Sequence, residues 1–151
     1  MNSPEIKTIT KSPEILRGVV HPWYCYAFGH MNVRWYSHFF DDAAFHVWPL
    51  YWGSHAKMLN EFGIHTVTAS ATVQFIHELV AGDLILVDSI LTRVGGKSCT
   101  FTERMIHVDT GEIHATYEMV EVFFNPETRK SAQMPDQIRR TLEPLITKPE
   151  E

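Results

Sequence analysis

One broad apolar stripe at helical spacing, followed by four strand-length segments in a row, limits this chain more than any other feature of its sequence. From Asn32 onward, Trp35, Tyr36, Phe39, Phe40, Ala43, Ala44 and Val47 recur every three to four residues and give a helix one wide apolar face. The period then becomes strand-like over 65–79, 83–94, 97–108 and 112–124. Each segment ends in turn chemistry: Ala81-Gly82-Asp83, Gly95-Gly96, Asp109-Thr110-Gly111 and Asn125-Pro126-Glu127. Strands joined this closely read as consecutive hairpins, and a helix with so wide an apolar face must bury it against their sheet. The expected class is α+β, a long central helix wrapped by a curved antiparallel sheet.

The flanking segments fit that plan. Residues 16–26, rich in Val and aromatics, read as a first strand, with Pro22 marking an edge or bulge. Pro49 should stop the long helix. Ser54 caps a short second helix over 55–62, and Gly63 supplies its left-handed C-terminal position. Residues 134–145 read as a closing helix or turn opened by Pro135. Residues 1–12 read as a flexible leader and 13–147 as a single domain, a size that suits one core in a chain of 151 residues.

Composition narrows the function classes. A formal net charge of −5 argues against nucleic-acid binding through overall charge. No stretch is apolar enough for a membrane span, and no secretory h-region opens the chain. Cys25 and Cys99 are too few for a disulfide framework, so a cytoplasmic location is expected. The nine histidines include no His-Glu-x-x-His spacing, and no Cys-x-x-Cys pair occurs, so no metal site is expected.

Chemistry concentrates at Gly29-His30-Met31-Asn32, where the first strand gives way to the long helix. A glycine permits close approach to the backbone, and asparagine is a preferred N-cap. The free amides of a new helix turn attract negative charge or a polarised carbonyl. The motif therefore reads as a carbonyl clamp formed by amides near Gly29, His30 and Met31, with an imidazole beside it. Asn32 is first a cap, and through the cap it fixes the clamp's geometry.

This motif, taken with three others, resembles the hotdog-fold acyl-CoA thioesterases related to hydroxybenzoyl-CoA thioesterase. The resemblance runs over about 20–142 and rests on Val20-His21-Pro22 followed by Gly29-His30-Met31-Asn32, Tyr36, Phe40 and Ala43. It continues through Phe75-Ile76-His77-Glu78-Leu79 with Gly82-Asp83, Thr110-Gly111-Glu112 with Ala115-Thr116, and Met134-Pro135 with Arg139. It implies a hotdog fold and hydrolysis of an acyl-CoA thioester to a carboxylic acid and CoA. It implies no cofactor beyond the CoA that is part of the substrate. It also implies a homodimer or homotetramer paired through sheet edges, with active sites at the interface. One departure stands out: the family usually carries aspartate three residues before the motif's glycine, and here that residue is Tyr26. A phenol titrates near pH ~10 and cannot serve as a carboxylate base.

That departure raises Glu78 as the acid-base residue, because related branches place a carboxylate on the strand opposite the helix N-terminus. An exposed strand-end glutamate is its plain alternative. His30 either hydrogen-bonds the thioester oxygen or takes a proton from water; its plain alternative is a histidine bonded to a backbone carbonyl in the core. Gly29, Met31, Tyr26 and Asp41 complete the expected substrate contacts, with Asp41 at the pocket's edge and Asp42 facing solvent. On a regular strand His77 faces away from Glu78, outside the pocket. The aromatic residues of the helix, Trp35 among them, read first as core. Rival readings are a hotdog dehydratase or hydratase, and an acyl-CoA-binding protein without turnover.

Overall fold

A computed structural model describes residues 11–148. The expected leader lies almost wholly outside the described residues. β1 (Glu14–Val19) opens the sheet, and a short 3-10 turn over Pro22–Tyr24 follows it. Three helices come next, α1 (Val33–Ala44), α2 (Val47–Tyr51) and α3 (His55–Phe62). Then come β2 (His65–Phe75), β3 (Leu84–Val94), β4 (Ser98–His107), β5 (Ile113–Asn125), a two-residue β6 (Lys130–Ser131) and α4 (Asp136–Leu142). One antiparallel sheet runs in the order β1-β3-β4-β5-β2, with β6 paired to β5. The α+β plan with a helix against a curved sheet holds.

Its connectivity differs from the expected meander. Hairpins join β3 to β4, β4 to β5 and β5 to β6, but not β2 to β3. β2 pairs with β5, Phe75 opposite Ala115 and Val67 opposite Val122, and so forms the far edge of the sheet. The segment 76–83 crosses back to β3, which pairs with β1. Leu79 anchors that crossing in the core and is fully buried, so burial of one leucine competes with continued strand pairing and wins.

Two local expectations also shift. The first strand ends at Val19 because Pro22 takes the opening position of a 3-10 turn, where its missing N–H costs nothing. Pro49 does not end the helix at its own position but lies within α2. A proline removes the bond to the carbonyl four residues earlier and clashes with it. That carbonyl belongs to Phe45, and the break falls at Phe45 and His46.

Tyr36, Phe39, Phe40 and Ala43 form the buried stripe of α1. Phe40 stacks on Tyr117 of β5 with ring centroids 5.2 Å apart. Trp48 of α2 meets Phe101 and Phe123 edge-on, each at 5.7 Å. On the β1 side, Gly18 lets the sheet approach the helix, since a Cβ there would lie 2.7 Å from the Phe39 ring. β2 itself carries a bulge at Ala69, between the pairs Thr68–Glu121 and Ser70–Val120. Before it, buried Thr66 shares the inner side with Thr68; after it, Val73 packs against the core and Phe75 meets Tyr36 at 5.1 Å.

Candidate functional site

The Gly29-His30-Met31-Asn32 motif does not lie on a long strand. Residues 24–32 form a tight ribbon in which the Tyr26 amide donates to His30 O at 3.0 Å and the Asn32 amide donates to Tyr24 O at 2.8 Å. Gly29 closes the turn: its amide donates to Tyr26 O at 2.8 Å, and its φ of 88° is a conformation that glycine adopts without strain. The Met31 amide reaches the crossing segment, donating to Leu79 O at 2.8 Å. Asn32 then caps α1, its side chain accepting from the Arg34 amide at 3.2 Å.

These bonds correct the expected clamp. The amides of Gly29 and Met31 are already spent, and the Met31 side chain is buried. Among the described residues, the His30 and Val33 amides are the motif donors without a protein partner. Val33 is the first residue of α1, where an intrahelical acceptor never exists. Sequence reasoning missed Val33, although it follows directly from the position of the Asn32 cap.

A cleft of about 430 Å³ opens beside this helix end, lined by Tyr26, His30, Met31, Asn32, Val33 and Tyr36 on one side and by Phe75, Ile76, His77 and Glu78 on the other. Glu78 is brought to the motif as expected, but from the crossing segment after β2 rather than from a strand. His30 bridges the site. Its Nε2 lies 3.0 Å from Glu78 Oε2, and its Nδ1 lies 3.3 Å from the Tyr26 hydroxyl. With the Nε2 proton given to the carboxylate, Nδ1 presents its lone pair to the phenol. The Glu78 side chain keeps 70% of its surface exposed, so a substrate or water can reach its second oxygen. Burial holds the Tyr36 phenol above its ordinary value, with the Glu78 charge adding in the same direction.

His77 also lines the cleft, contrary to the alternation argument. β2 stops at Phe75, and the Ile76 and His77 amides both donate to His114 O, at 2.9 and 3.1 Å. Two consecutive amides on one carbonyl break the period of two on which the expectation rested.

Asp41 does not belong to this cleft. It lines a second, smaller hollow of about 110 Å³ near the other end of α1, with Ala44, Trp48, His55, Thr66, Thr68 and Glu121 among its neighbours. A helix rises only about 1.5 Å per residue, so the turns between Val33 and Asp41 already carry it well away. His55 Nε2 meets Thr66 Oγ1 at 3.0 Å there, Thr68 Oγ1 donates to Glu121, and burial lowers the His55 pKa. Behind them Glu103 is fully buried; burial, then Asp41 and Glu121, push its carboxyl up to about 9. Cys25 lies outside the cleft lining, and burial pushes the Cys99 thiol up. Among the described residues no group of three or more His, Cys, Asp or Glu is placed to hold a metal. None of their helices is long and apolar enough to cross a membrane.

A family model described as the thioesterase-like superfamily matches residues 20–142. Among solved structures, a hypothetical protein from Staphylococcus aureus in complex with CoA superposes with a TM-score of 0.79 at 16% identity, over 96% of this chain and 92% of that one. A probable thioesterase from Escherichia coli gives 0.72 at 20% identity, over 87% and 98%. A 1,4-dihydroxy-2-naphthoyl-CoA thioesterase from Synechocystis gives 0.71 at 13% identity, over 84% and 93%. At these identities the likeness is one of fold. No curated protein matches the sequence significantly.

Proposed function

We propose that this chain, which belongs to the thioesterase-like superfamily, hydrolyses an acyl-CoA thioester to a free carboxylic acid and CoA. The observation that carries the reading is the bridge made by His30 between Tyr26 and Glu78, set beside the free first amide of α1. Although aspartate is missing at position 26, a carboxylate still meets the motif's histidine, and it comes from the opposite wall.

In this reading the thioester carbonyl oxygen lies at the N-terminus of α1 and accepts from the Val33 amide. Charge on that oxygen grows as the tetrahedral intermediate forms, so a fixed donor there stabilises the transition state more than the substrate. Glu78, through the oxygen not engaged by His30, takes a proton from the attacking water. His30 holds the carboxylate in place through Nε2–H and is itself held from the other side by the Tyr26 hydroxyl. When the carbon–sulfur bond breaks, the same proton returns to the CoA thiolate.

CoA enters as part of the substrate, and the chemistry calls on no further cofactor. The CoA bound to the Staphylococcus aureus protein supports the ligand class. A homodimer or homotetramer fits the sheet: β2 is an eleven-residue edge strand, and exposed Phe28, Phe75 and Ile76 flank its cleft end. A second copy paired there would cover the cleft.

The test is a thiol-release assay over short, branched, aromatic and long acyl-CoAs, run beside an enoyl-CoA hydration assay. At least one acyl-CoA should be cleaved, and Glu78→Gln should lower kcat on it by about 100-fold or more. Tight acyl-CoA binding with no thiol released would make the protein a carrier. Hydration without hydrolysis would make it a hydratase. Near-normal turnover by Glu78→Gln would remove Glu78 as the base.

A further inference from the structure

We infer that His114 is a positioning residue for Glu78, an assignment that rests on the reading of Glu78 as the acid-base group. The Glu78 carboxylate is mostly exposed, and among the described residues its one ion-pair partner is His30. A side chain so placed keeps its aim only if its main chain is held. The regular ladder cannot hold it, because β2 ends three residues earlier.

His114 replaces the ladder. It is the second residue of β5 and is 7% exposed. Its carbonyl accepts the Ile76 and His77 amides, and its Nδ1–H turns back to donate to Glu78 O at 2.9 Å. One residue thus engages three consecutive residues of the crossing segment, through main chain and side chain together. The next residue, Leu79, is fully buried, and its carbonyl accepts from Met31 of the ribbon. Glu78 is therefore pinned on both sides, to the sheet through His114 and to the helix-capping ribbon through Leu79.

The imidazole itself is supported. The His107 ring lies 5.2 Å from that of His114, and His107 Nε2 lies 3.3 Å from Asp83 Oδ1. The other Asp83 oxygen accepts the Val80 amide at 2.9 Å. On the cleft side the His77 ring lies 5.3 Å away. Two neighbouring rings thus limit rotation of the His114 ring, and a held ring is what precise placement of a reacting group requires.

Two amide substitutions separate placement from bulk. The side-chain nitrogen of asparagine falls at the level of Nδ1, whereas that of glutamine falls one bond further out. His114→Asn should keep kcat within about 3-fold of the unmodified protein. His114→Gln should lower it by roughly 10- to 100-fold with KM little changed, the cost of misaligning a reacting group by part of an ångström. Amide hydrogen exchange over 76–80 should quicken in the glutamine variant and not in the asparagine variant. If His114→Gln does not fold, His114→Leu, which fills the space without a donor, supplies the same comparison. Equal turnover by the asparagine and donor-displaced variants would overturn the assignment, and so would unchanged exchange. If no acyl-CoA is cleaved by the unmodified protein, the thioesterase reading fails, while the exchange comparison still decides whether His114 holds the Glu78 segment.

Discussion

Replacing Glu103 with glutamine should make the protein more stable, and increasingly so as pH rises. Glu103 lies on β4 between Ser89 of β3 and Tyr117 of β5, and among the described residues neither carboxyl oxygen has a hydrogen-bond partner. Burial first, then the charges of Asp41 and Glu121, raise its pKa from 4.5 to about 9. Between those two values the folded protein keeps a proton that the unfolded chain has released. Its folded-state pKa is the higher one, so stability is intact below pH 4.5 and falls as pH rises toward 9. Each unit costs about 1.4 kcal/mol, so by pH 7 the penalty reaches about 3 kcal/mol. For a chain of this length that is roughly 6–12 °C in Tm. Glu103→Gln has no proton to lose. Any fixed effect of the substitution is the same at every pH, so the informative quantity is the change in the gap between the two proteins. Urea or thermal unfolding of both at pH 5, 6, 7 and 8 should show that gap widening by about 1.4 kcal/mol per unit. A gap that stays constant across this range would refute the argument.

Other outcomes follow from the ribbon and the cleft. Asn32→Ala should cost about 1 kcal/mol of stability through the lost cap, and kcat should fall with it because the Val33 amide loses its fixed orientation; denaturant titration beside steady-state kinetics checks both. Gly29→Ala meets no atom within 4 Å, so its effect is conformational strain alone, about 1–2 kcal/mol by chemical unfolding. Tyr26→Phe removes the hydroxyl that faces His30 Nδ1 and should lower kcat by up to about 10-fold with the fold unchanged, the scale of one lost hydrogen bond. Leu79→Ala should cost about 2–5 kcal/mol in an unfolding titration, since its side chain is fully buried.

Much of this was legible in the sequence because it depends on local chemistry. The helical stripe, the Ser54 and Asn32 caps, Gly63 at φ 69° and the turns after β3, β4 and β5 appear in the structure as read, whereas Ala81-Gly82-Asp83 turns the chain without forming a hairpin. The pairing of Glu78 with His30 was legible only through family likeness, since nothing along the chain says that 78 returns to 30. The errors share a physical origin. Strand order is set by tertiary competition, and burial of Leu79 drew the chain out of the meander that its turn sequences suggested. His77 was placed by a period of two that ended two residues before it. Asp41, beside Phe40 in the long helix, was placed at the pocket's edge, but the rise of the helix carries it away from the N-terminal end where the cleft lies. His114 carried no signal at all, because a single donor on a strand acquires its role only when the crossing segment is laid across it.

The bulge at Ala69 means that β2 is read in two frames. Ahead of it Thr66 and Thr68 look inward, toward the hollow that holds Asp41; beyond it Val73 packs against the core and Phe75 lines the cleft beside α1. Along a perfectly regular strand of this sequence Thr66, Thr68, Ser70, Thr72 and Gln74 would share one face, since a slip of one exchanges the faces. The bulge takes up the odd residue, so the polar start and the apolar end of a single edge strand both face inward. Removing Ala69 would therefore straighten the strand and leave both walls facing as they do now.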